Sequence, residues 1–463
     1  MNYTYFNKLK NICNMDIEDI HSFVHYEKYF LENRVKDSLW EDMTDAAKEY
    51  LNILEQIRIT FFKKDNKDDI KRIINREIKK FDYKIRVVLF AYEYSTFPTL
   101  QSLYTELKKD GRFICELVHI PFFHPNKTTL ENELSEYYKN GINDIIPADK
   151  YNILNSSPDV AVFIKGYDLV PKKFFSTEID KLVDKTIFIP YGMETDTSDY
   201  AIKCHFQLPI HNTAWKCLTY CTKMYNDACK YSLQKGKNFW PIGHTRFDLK
   251  NMDLTDNKYY KEIKKLSKGR KIVLYNAHFT INEGDNSGTF KKYGLDILKY
   301  FANRNDIFLI YRPHPLLYGT LKKEYDNNKE FWKIYNELTS NYENIFLDNN
   351  SNYLVAFHIS DLLISDRSSL IPEYAIYCKP IIYLKKENSS GFKNPELEAM
   401  LYSCDNKEQI FEHLERLLLG NDILAKTRKE DICRVFMYDQ NEMVSTKIIQ
   451  LMVNHYIEGE NNE

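Results

Sequence analysis

The sequence predicts an α/β protein with two doubly wound parallel sheets and a helical N-terminal extension. Three observations carry that prediction. Short apolar runs alternate with helix-length segments from residue 85 onward, the pattern of strands buried on both faces and joined by crossover helices. The alternation restarts at residue 271 after a charged stretch, and 463 residues exceed what one ordinary core accommodates. Residues 1–82 lack strand pattern altogether. The expected division is therefore a helical extension over 1–82, one sheet domain over 83–250, a second over 251–440, and a C-terminal helix over 441–463.

In the extension, Ile70, Ile73, Ile74, Ile78 and Phe81 recur at helical spacing, with Lys71, Arg72, Lys79 and Lys80 between them and Lys63, Lys64 and Lys67 upstream. A basic amphipathic helix of this kind either lies on an anionic membrane surface or packs its isoleucines on the next domain with its lysines in water. Asp65, Asp68, Asp69 and Glu77 dilute the basic character and favour packing.

The first sheet opens with a strand over 85–91 that ends at Tyr92-Glu93-Tyr94-Ser95-Thr96. A helix over 102–109 follows, ended by Gly111, and further strands are expected over 113–120, 160–164 and 186–190. No Gly-x-Gly-x-x-Gly follows the first strand, so the ordinary dinucleotide fingerprint is absent. Residues 249–268 are charged and suit an interdomain connection.

The second sheet begins at Lys271, and its first strand ends at Ala277-His278-Phe279-Thr280, before a polar loop over 282–288. The strand over 307–311 runs into Arg312-Pro313-His314-Pro315, where the prolines end the strand and fix Arg312 and His314 at its carboxyl end. A strand over 344–347 ends at Asp348, and helices are expected over 353–359, 407–418 and 441–457. Residues 361–384 form a strand–helix–strand unit whose turn reads Ser365-Asp366-Arg367-Ser368-Ser369, with Lys379-Pro380 breaking the helix. A helix mouth with hydroxyls and a guanidinium suits an anion such as phosphate. Glu373, one turn inward, suits either sugar or polyol hydroxyls or simple helix-start electrostatics.

A formal net charge of −2 gives no bias toward nucleic acid. No apolar run approaches the length of a membrane span, and the N-terminus lacks the layout of a signal peptide, so a cytoplasmic location is expected. The nine cysteines follow no disulfide-scaffold spacing. Cys204, His205, His211, Cys217 and Cys221 cluster in sequence, with Cys217 and Cys221 expected on one helix face. Their spacing matches no common zinc module, and no metal or cofactor is expected.

Arg312-Pro313-His314-Pro315, followed by Ser365-Asp366-Arg367-Ser368-Ser369, Glu373 and Lys379-Pro380-Ile381-Ile382-Tyr383, resembles the CDP-glycerol glycerophosphotransferases, the teichoic-acid primases and polymerases. Residues 270–279 resemble that family's first C-terminal-domain strand. Gly243-His244-Thr245-Arg246-Phe247-Asp248 resembles its Gly-x-Pro-Arg-x-Asp turn, with Thr245 in place of proline. The resemblance covers roughly residues 186 to 385 and implies a GT-B fold, the first domain taking the acceptor and the second the nucleotide donor. It implies a CDP-polyol donor, a polysaccharide or lipid-linked acceptor, and a peripheral contact with the inner face of the cell membrane. On that reading Arg312, His314, Asp366, Arg367, Ser368 and Ser369 serve the donor diphosphate and Glu373 the donor hydroxyls, and neutral His314 is also a catalytic candidate, as the acid toward the leaving phosphate. The family's catalytic histidine, from its His-Gly-Thr, is Tyr191 here. A substitute base is sought in His205 first, then Glu194, with His211, Glu93 and His119 behind them. Two other readings stay open: a nucleotide-sugar glycosyltransferase on the same fold, and a non-catalytic assembly subunit that has lost the base.

Overall fold

The computed structural model describes residues 3–36, 45–62, 67–78, 84–123, 130–193, 198–281, 288–386, 392 and 394–458. Four helices come first: α1 (Tyr3–Ile12), α2 (Ile17–Lys36), α3 (Asp45–Phe62) and α4 (Lys67–Ile78). They bury their own core, in which Leu9, Ile20, Tyr50, Leu54, Ile70 and Ile74 meet. The isoleucine face of α4 thus packs inside the extension, not on the following sheet. Lys63, Lys64, Lys79, Lys80, Phe81 and the Ile78 side chain lie outside the described residues.

The first sheet contains β1 (Ile85–Ala91), β2 (Phe113–His119), β5 (Ile146–Pro147), β6 (Val160–Phe163), β7 (Lys185–Phe188), β8 (Lys216–Thr219) and β9 (Phe239–Pro241); β3 (Phe122–Phe123) and β4 (Leu130–Glu131) form a separate small hairpin. Its order is β5-β2-β1-β6-β7-β8-β9, parallel throughout. The second sheet contains β10 (Lys271–Asn276), β11 (Ile307–Tyr311), β12 (Ile345–Leu347), β13 (Leu362–Ser365), β14 (Ile381–Leu384) and β15 (Tyr402–Cys404), in the order β12-β11-β10-β13-β14-β15. Central strands such as Val87-Val88-Leu89-Phe90 are buried on both faces, as a helix-covered parallel sheet requires.

Each sheet starts outward from its first strand in one direction and later resumes on that strand's other side. The order therefore reverses between β1 and β6 and between β10 and β13, and loops at the carboxyl ends of such strand pairs diverge to leave a crevice. Both first strands are anchored alike. Asp159, just before β6, accepts the Arg86 N–H at 2.9 Å, and Asp361, just before β13, accepts the Ile272 N–H at 2.7 Å. The helix Val444–Val453 packs on α5 (Pro98–Lys109) of the first sheet, and beyond it the Tyr456 hydroxyl bonds Asp184 Oδ2 at 2.9 Å.

Some elements differ from expectation. The helix after β1 begins at Pro98, four residues early, because proline is preorganised for a first helical turn. Residues Lys258–Ser267 are a helix rather than a bare connection, capped by Asn257 and burying Ile263. Cys217 and Cys221 do not share a helix: Cys217 lies in β8, and Cys221 caps the helix Thr222–Tyr231 by accepting the Met224 N–H. Among the described residues, no three His, Cys, Asp or Glu side chains converge as metal ligands, and no helix is long and apolar enough to cross a membrane.

Candidate active site between the two sheets

The crevice of the second sheet is flanked by the ends of β10 and β13, paired through Asn276 and Ser365. On the β10 side stand His278 and Phe279, joined by His314 from the loop after β11. The His278 and His314 rings are 5.7 Å apart, and Phe279 lies 4.6 Å from His314. His314 is buried enough that desolvation, with the neighbouring His278, lowers its pKa to about 4. Its Nδ1 accepts the Leu316 N–H at 3.2 Å, so at neutral pH the proton resides on Nε2.

On the β13 side, Ser368 Oγ accepts the Leu370 N–H at 3.2 Å, doing the capping work of the turn. Ser369 makes no capping bond with its side chain, and it lines a cleft of roughly 240 Å³ shared with the first sheet. The first-sheet wall of that cleft includes Tyr167, Tyr191, Cys204 and His205. His205, half-buried on the helix Asp199–Phe206, therefore faces the same space as Ser369. Glu194 lies outside the described residues.

Three expected ligand groups are engaged elsewhere. The Arg312 guanidinium reaches away from the crevice, donating to Asp348 Oδ2 at 2.6 Å and to the Asn350 carbonyl at 2.6 Å, beyond the end of β12. Asp366 is wholly buried and accepts the His278 N–H at 2.7 Å, the Thr289 N–H at 3.0 Å and the Thr289 hydroxyl. It is a strut that holds the two loops of the crevice together, and burial raises its pKa to about 7. Glu373 is buried with both oxygens engaged, one by Arg246 Nη1 and the other by the Tyr353 hydroxyl. Arg367 is also largely buried within the turn.

Two histidines considered as bases belong to the interior. His211 is fully buried beside Phe188 and Phe239, and desolvation lowers its pKa to about 3. His119, at the end of β2, is held down to about 4 by the same cause. Glu93 forms a buried salt bridge of 2.6 Å with Lys165 across the β1–β6 crevice, and the Lys165 ammonium lies 3.6 Å over the Phe122 ring and 5.1 Å from the Tyr191 ring.

The turn Gly243–Asp248 ties these parts together. Gly243 has φ of +95°, and a Cβ there would lie 3.1 Å from the Met437 carbonyl, so the sharp entry to the turn requires glycine. His244 Nδ1 accepts the Arg246 N–H at 3.1 Å, leaving Nε2–H to donate to the Pro190 carbonyl at 2.7 Å, immediately before Tyr191. Arg246 Nε donates to Thr99 Oγ1 at 2.9 Å on α5 while its Nη1 reaches Glu373 and Tyr353. Asp248 accepts the Val444 and Ser445 N–H groups at 2.8 and 2.9 Å. One six-residue turn thus connects the cleft loop, α5, the second sheet and the C-terminal helix. His278, Arg246, His244, Tyr353 and Lys165 had escaped the reading of site residues; only the first three stand in motifs already singled out.

Solved structures with this architecture include the wall teichoic acid polymerase TagF, at a TM-score of 0.53 and 14% identity over 89% of this chain and 98% of that one. A UDP-GlcNAc 2-epimerase from Neisseria meningitidis bound to UDP-GlcNAc matches at a TM-score of 0.56 and 13% identity, over 80% and 100%. These likenesses establish the fold, which is GT-B. Among curated proteins, the teichoic acid ribitol-phosphate polymerases TarL and TarK of Staphylococcus aureus (strain NCTC 8325 / PS 47) are 29% identical over 160 residues and 27% over 158. Each match takes in 32% of this chain and only about a quarter of the relative, 25% and 27%. The profile of the CDP-glycerol:poly(glycerophosphate) glycerophosphotransferases matches residues 217–451, which contain β10 to β15, His314, the serine turn and Arg246. On that match the chain belongs to the CDP-glycerol:poly(glycerophosphate) glycerophosphotransferase family.

Proposed function

We propose that the protein transfers glycerol phosphate, or a related polyol phosphate, from a CDP-linked donor to a hydroxyl of a cell-surface polymer and releases CMP. One observation carries the proposal: Ser369 of the donor-side turn and His205 of the first sheet line the same cleft. The donor diphosphate lies at the β10–β13 crevice, where neutral His314 offers its Nε2–H and Ser368 and Ser369 offer hydroxyls. The acceptor hydroxyl attacks the phosphorus bonded to the polyol, a new P–O bond forms, and the bond to CMP breaks with its electron pair on CMP. His205 takes the hydroxyl proton and passes it to water. Negative charge grows on the bridging oxygen as that bond breaks, and fixed donors there lower the barrier. Asp366 acts indirectly by fixing the loops that carry His278 and Thr289, and Glu373 by joining the two sheets. The reading carries a location too, at the inner face of the cell membrane, where a nucleotide-activated donor meets a membrane-held acceptor.

The test is release of nucleotide by purified protein offered CDP-glycerol, CDP-ribitol and a set of UDP-sugars. CMP from a CDP-polyol, lost in His314→Ala and Ser369→Ala, is expected. UDP released from a sugar donor, with both CDP-polyols inert, would overturn the proposal in favour of glycosyl transfer.

A further inference from the structure

The loop after β7 is held from beneath. Pro190, Tyr191, Gly192 and Met193 line the cleft on the first-sheet side, and Ser369 lines it on the other. β6 supports part of that loop: the Phe163 carbonyl accepts the Ile189 N–H at 2.9 Å, and the Ile164 carbonyl accepts the Tyr191 N–H at 3.0 Å. Pro190, between them, has no N–H to give. Its residue is buried, and its carbonyl takes a 2.7 Å hydrogen bond from His244 Nε2 rather than from a strand. β8, the next strand of the sheet, pairs with β7 through Ile187 and Phe188, short of Pro190. His244 supplies the support that β8 no longer gives.

The surroundings of His244 fit it to that task. It is wholly buried, and desolvation with the neighbouring Arg246 charge lowers its pKa to about 3, so the ring is neutral. Nδ1 is occupied by the Arg246 N–H, which leaves the proton on Nε2, toward Pro190. The Arg246 side chain then binds Glu373, one turn along from Ser369 on the helix Leu370–Ala375. Glu373, Arg246 and His244 thus link the two walls of the cleft, and none of the three is more than 7% exposed. In the turn pattern Gly-x-Pro-Arg-x-Asp this position is an unrestricted x, so the contact is a property of this chain. We infer that His244 is a positioning residue for the reaction: through the Pro190 carbonyl it holds the loop Pro190–Met193 at a fixed distance from the serine turn. The inference rests on the phosphotransfer proposed above and concerns the geometry of its cleft. Without that hydrogen bond the carbonyl turns toward water and carries Tyr191 with it. Groups displaced by about an ångström in a reacting site lose about a hundredfold in rate.

Two substitutions separate this role from support of the turn alone. Asparagine offers an oxygen where Nδ1 stands and keeps the cap on the Arg246 N–H, but is too short to reach Pro190. Glutamine brings an amide N–H to where Nε2 stands and keeps the bond to Pro190, but gives up the cap. The experiment measures CMP release by the full chain from CDP-glycerol, with oligo(glycerol phosphate) and disaccharide glycosides supplied together as acceptors. It also follows hydrogen exchange at the Tyr191, Gly192 and Met193 amides. His244→Asn is expected to lower kcat about a hundredfold, to leave the CDP-glycerol KM within about twofold of wild type, and to speed exchange at those amides. His244→Gln is expected to keep kcat within about fivefold of wild type, the loss of one capping bond. Equal losses in the two variants, or a greater loss in His244→Gln, would overturn the inference, as would a His244→Asn with wild-type kcat and exchange. Absence of CMP from the wild type would instead overturn the phosphotransfer, and the exchange rates would still decide whether His244 holds the loop.

Discussion

Arg246 and Glu373, 127 residues apart in the chain, form a buried ion pair that joins the turn after β9 to the helix Leu370–Ala375 of the donor side. Tyr353 completes the triad, and neither charged side chain is more than a few per cent exposed. Such a pair contributes little net stability against an apolar replacement, because both charges have lost water. It does fix geometry: the helix that carries the serine turn is held against α5 of the other sheet.

Breaking the pair from one side strands a charge. Glu373→Ala leaves the Arg246 guanidinium buried without its carboxylate, a loss of about 3–5 kcal/mol by analogy with other buried pairs. Equilibrium urea denaturation should show that loss, and the double variant Arg246→Met with Glu373→Leu should recover much of it. A Glu373→Ala protein as stable as wild type would mean that the pair does not bridge the sheets.

Asp366 makes a second, separable prediction. Asp366→Asn keeps the volume but presents one carbonyl oxygen where the carboxylate presents two to His278 and Thr289. One of those buried N–H groups then loses its acceptor, at about 1–3 kcal/mol. The loops flanking the crevice should loosen, and the KM for the CDP-linked donor should rise more than kcat falls. If hydrogen exchange at the His278 and Thr289 amides is the same in wild type and variant, the strut role is wrong.

How much of this was legible follows physical lines. The unit from β13 to β14 could be read because its signals are local: a buried apolar run, a polar turn, and Lys379-Pro380 to stop the helix. β8, Lys216-Cys217-Leu218-Thr219, was missed because it has no continuous apolar run and its cysteine sits one helical turn from Cys221. In the site, Asp366 looks like an exposed turn residue until β10 pairs beside β13 and brings His278 and Thr289 onto it. Arg312 looks like a phosphate ligand until β12, on the far side of β11 from the crevice, delivers Asp348. Residue types were readable from sequence; which group each charge meets depended on strand order.

The buried histidines set a pH dependence. His211 stays neutral in the fold, its pKa lowered to about 3 by burial and by the neighbouring His205, whereas in the unfolded chain it titrates near 6.5. As pH falls below about 6.5, the unfolded state takes up a proton that the folded state refuses, so stability drops until the folded pKa is reached. His119, His244 and His314 add to this in the same direction, and Asp366, with its raised pKa, opposes it by one proton between about 7 and 4. A comparison with His211→Asn isolates one site. Between pH 6 and 4 the wild type should lose about 1.4 kcal/mol more per pH unit than the variant in urea denaturation. Parallel pH profiles for the two proteins would show that His211 is not buried in the neutral form.

On the proposed mechanism His205, rather than Tyr191, takes the role that the resemblance gives to the histidine of His-Gly-Thr. Burial and the nearby Glu93 raise the Tyr191 pKa above that of an ordinary phenol, so its hydroxyl remains protonated at neutral pH and cannot serve as the base. His205 shares the cleft. His205→Gln should therefore lower kcat by about 10²–10⁴, the usual worth of a positioned general base. Tyr191→Phe keeps the ring in the cleft and should retain activity within about tenfold of wild type, the loss expected from one hydrogen bond. Steady-state CMP release with saturating donor separates the two roles. The reverse pattern, an active His205→Gln and an inactive Tyr191→Phe, would move the proton to the phenol and require Tyr191 to be activated by a group not yet identified beside it.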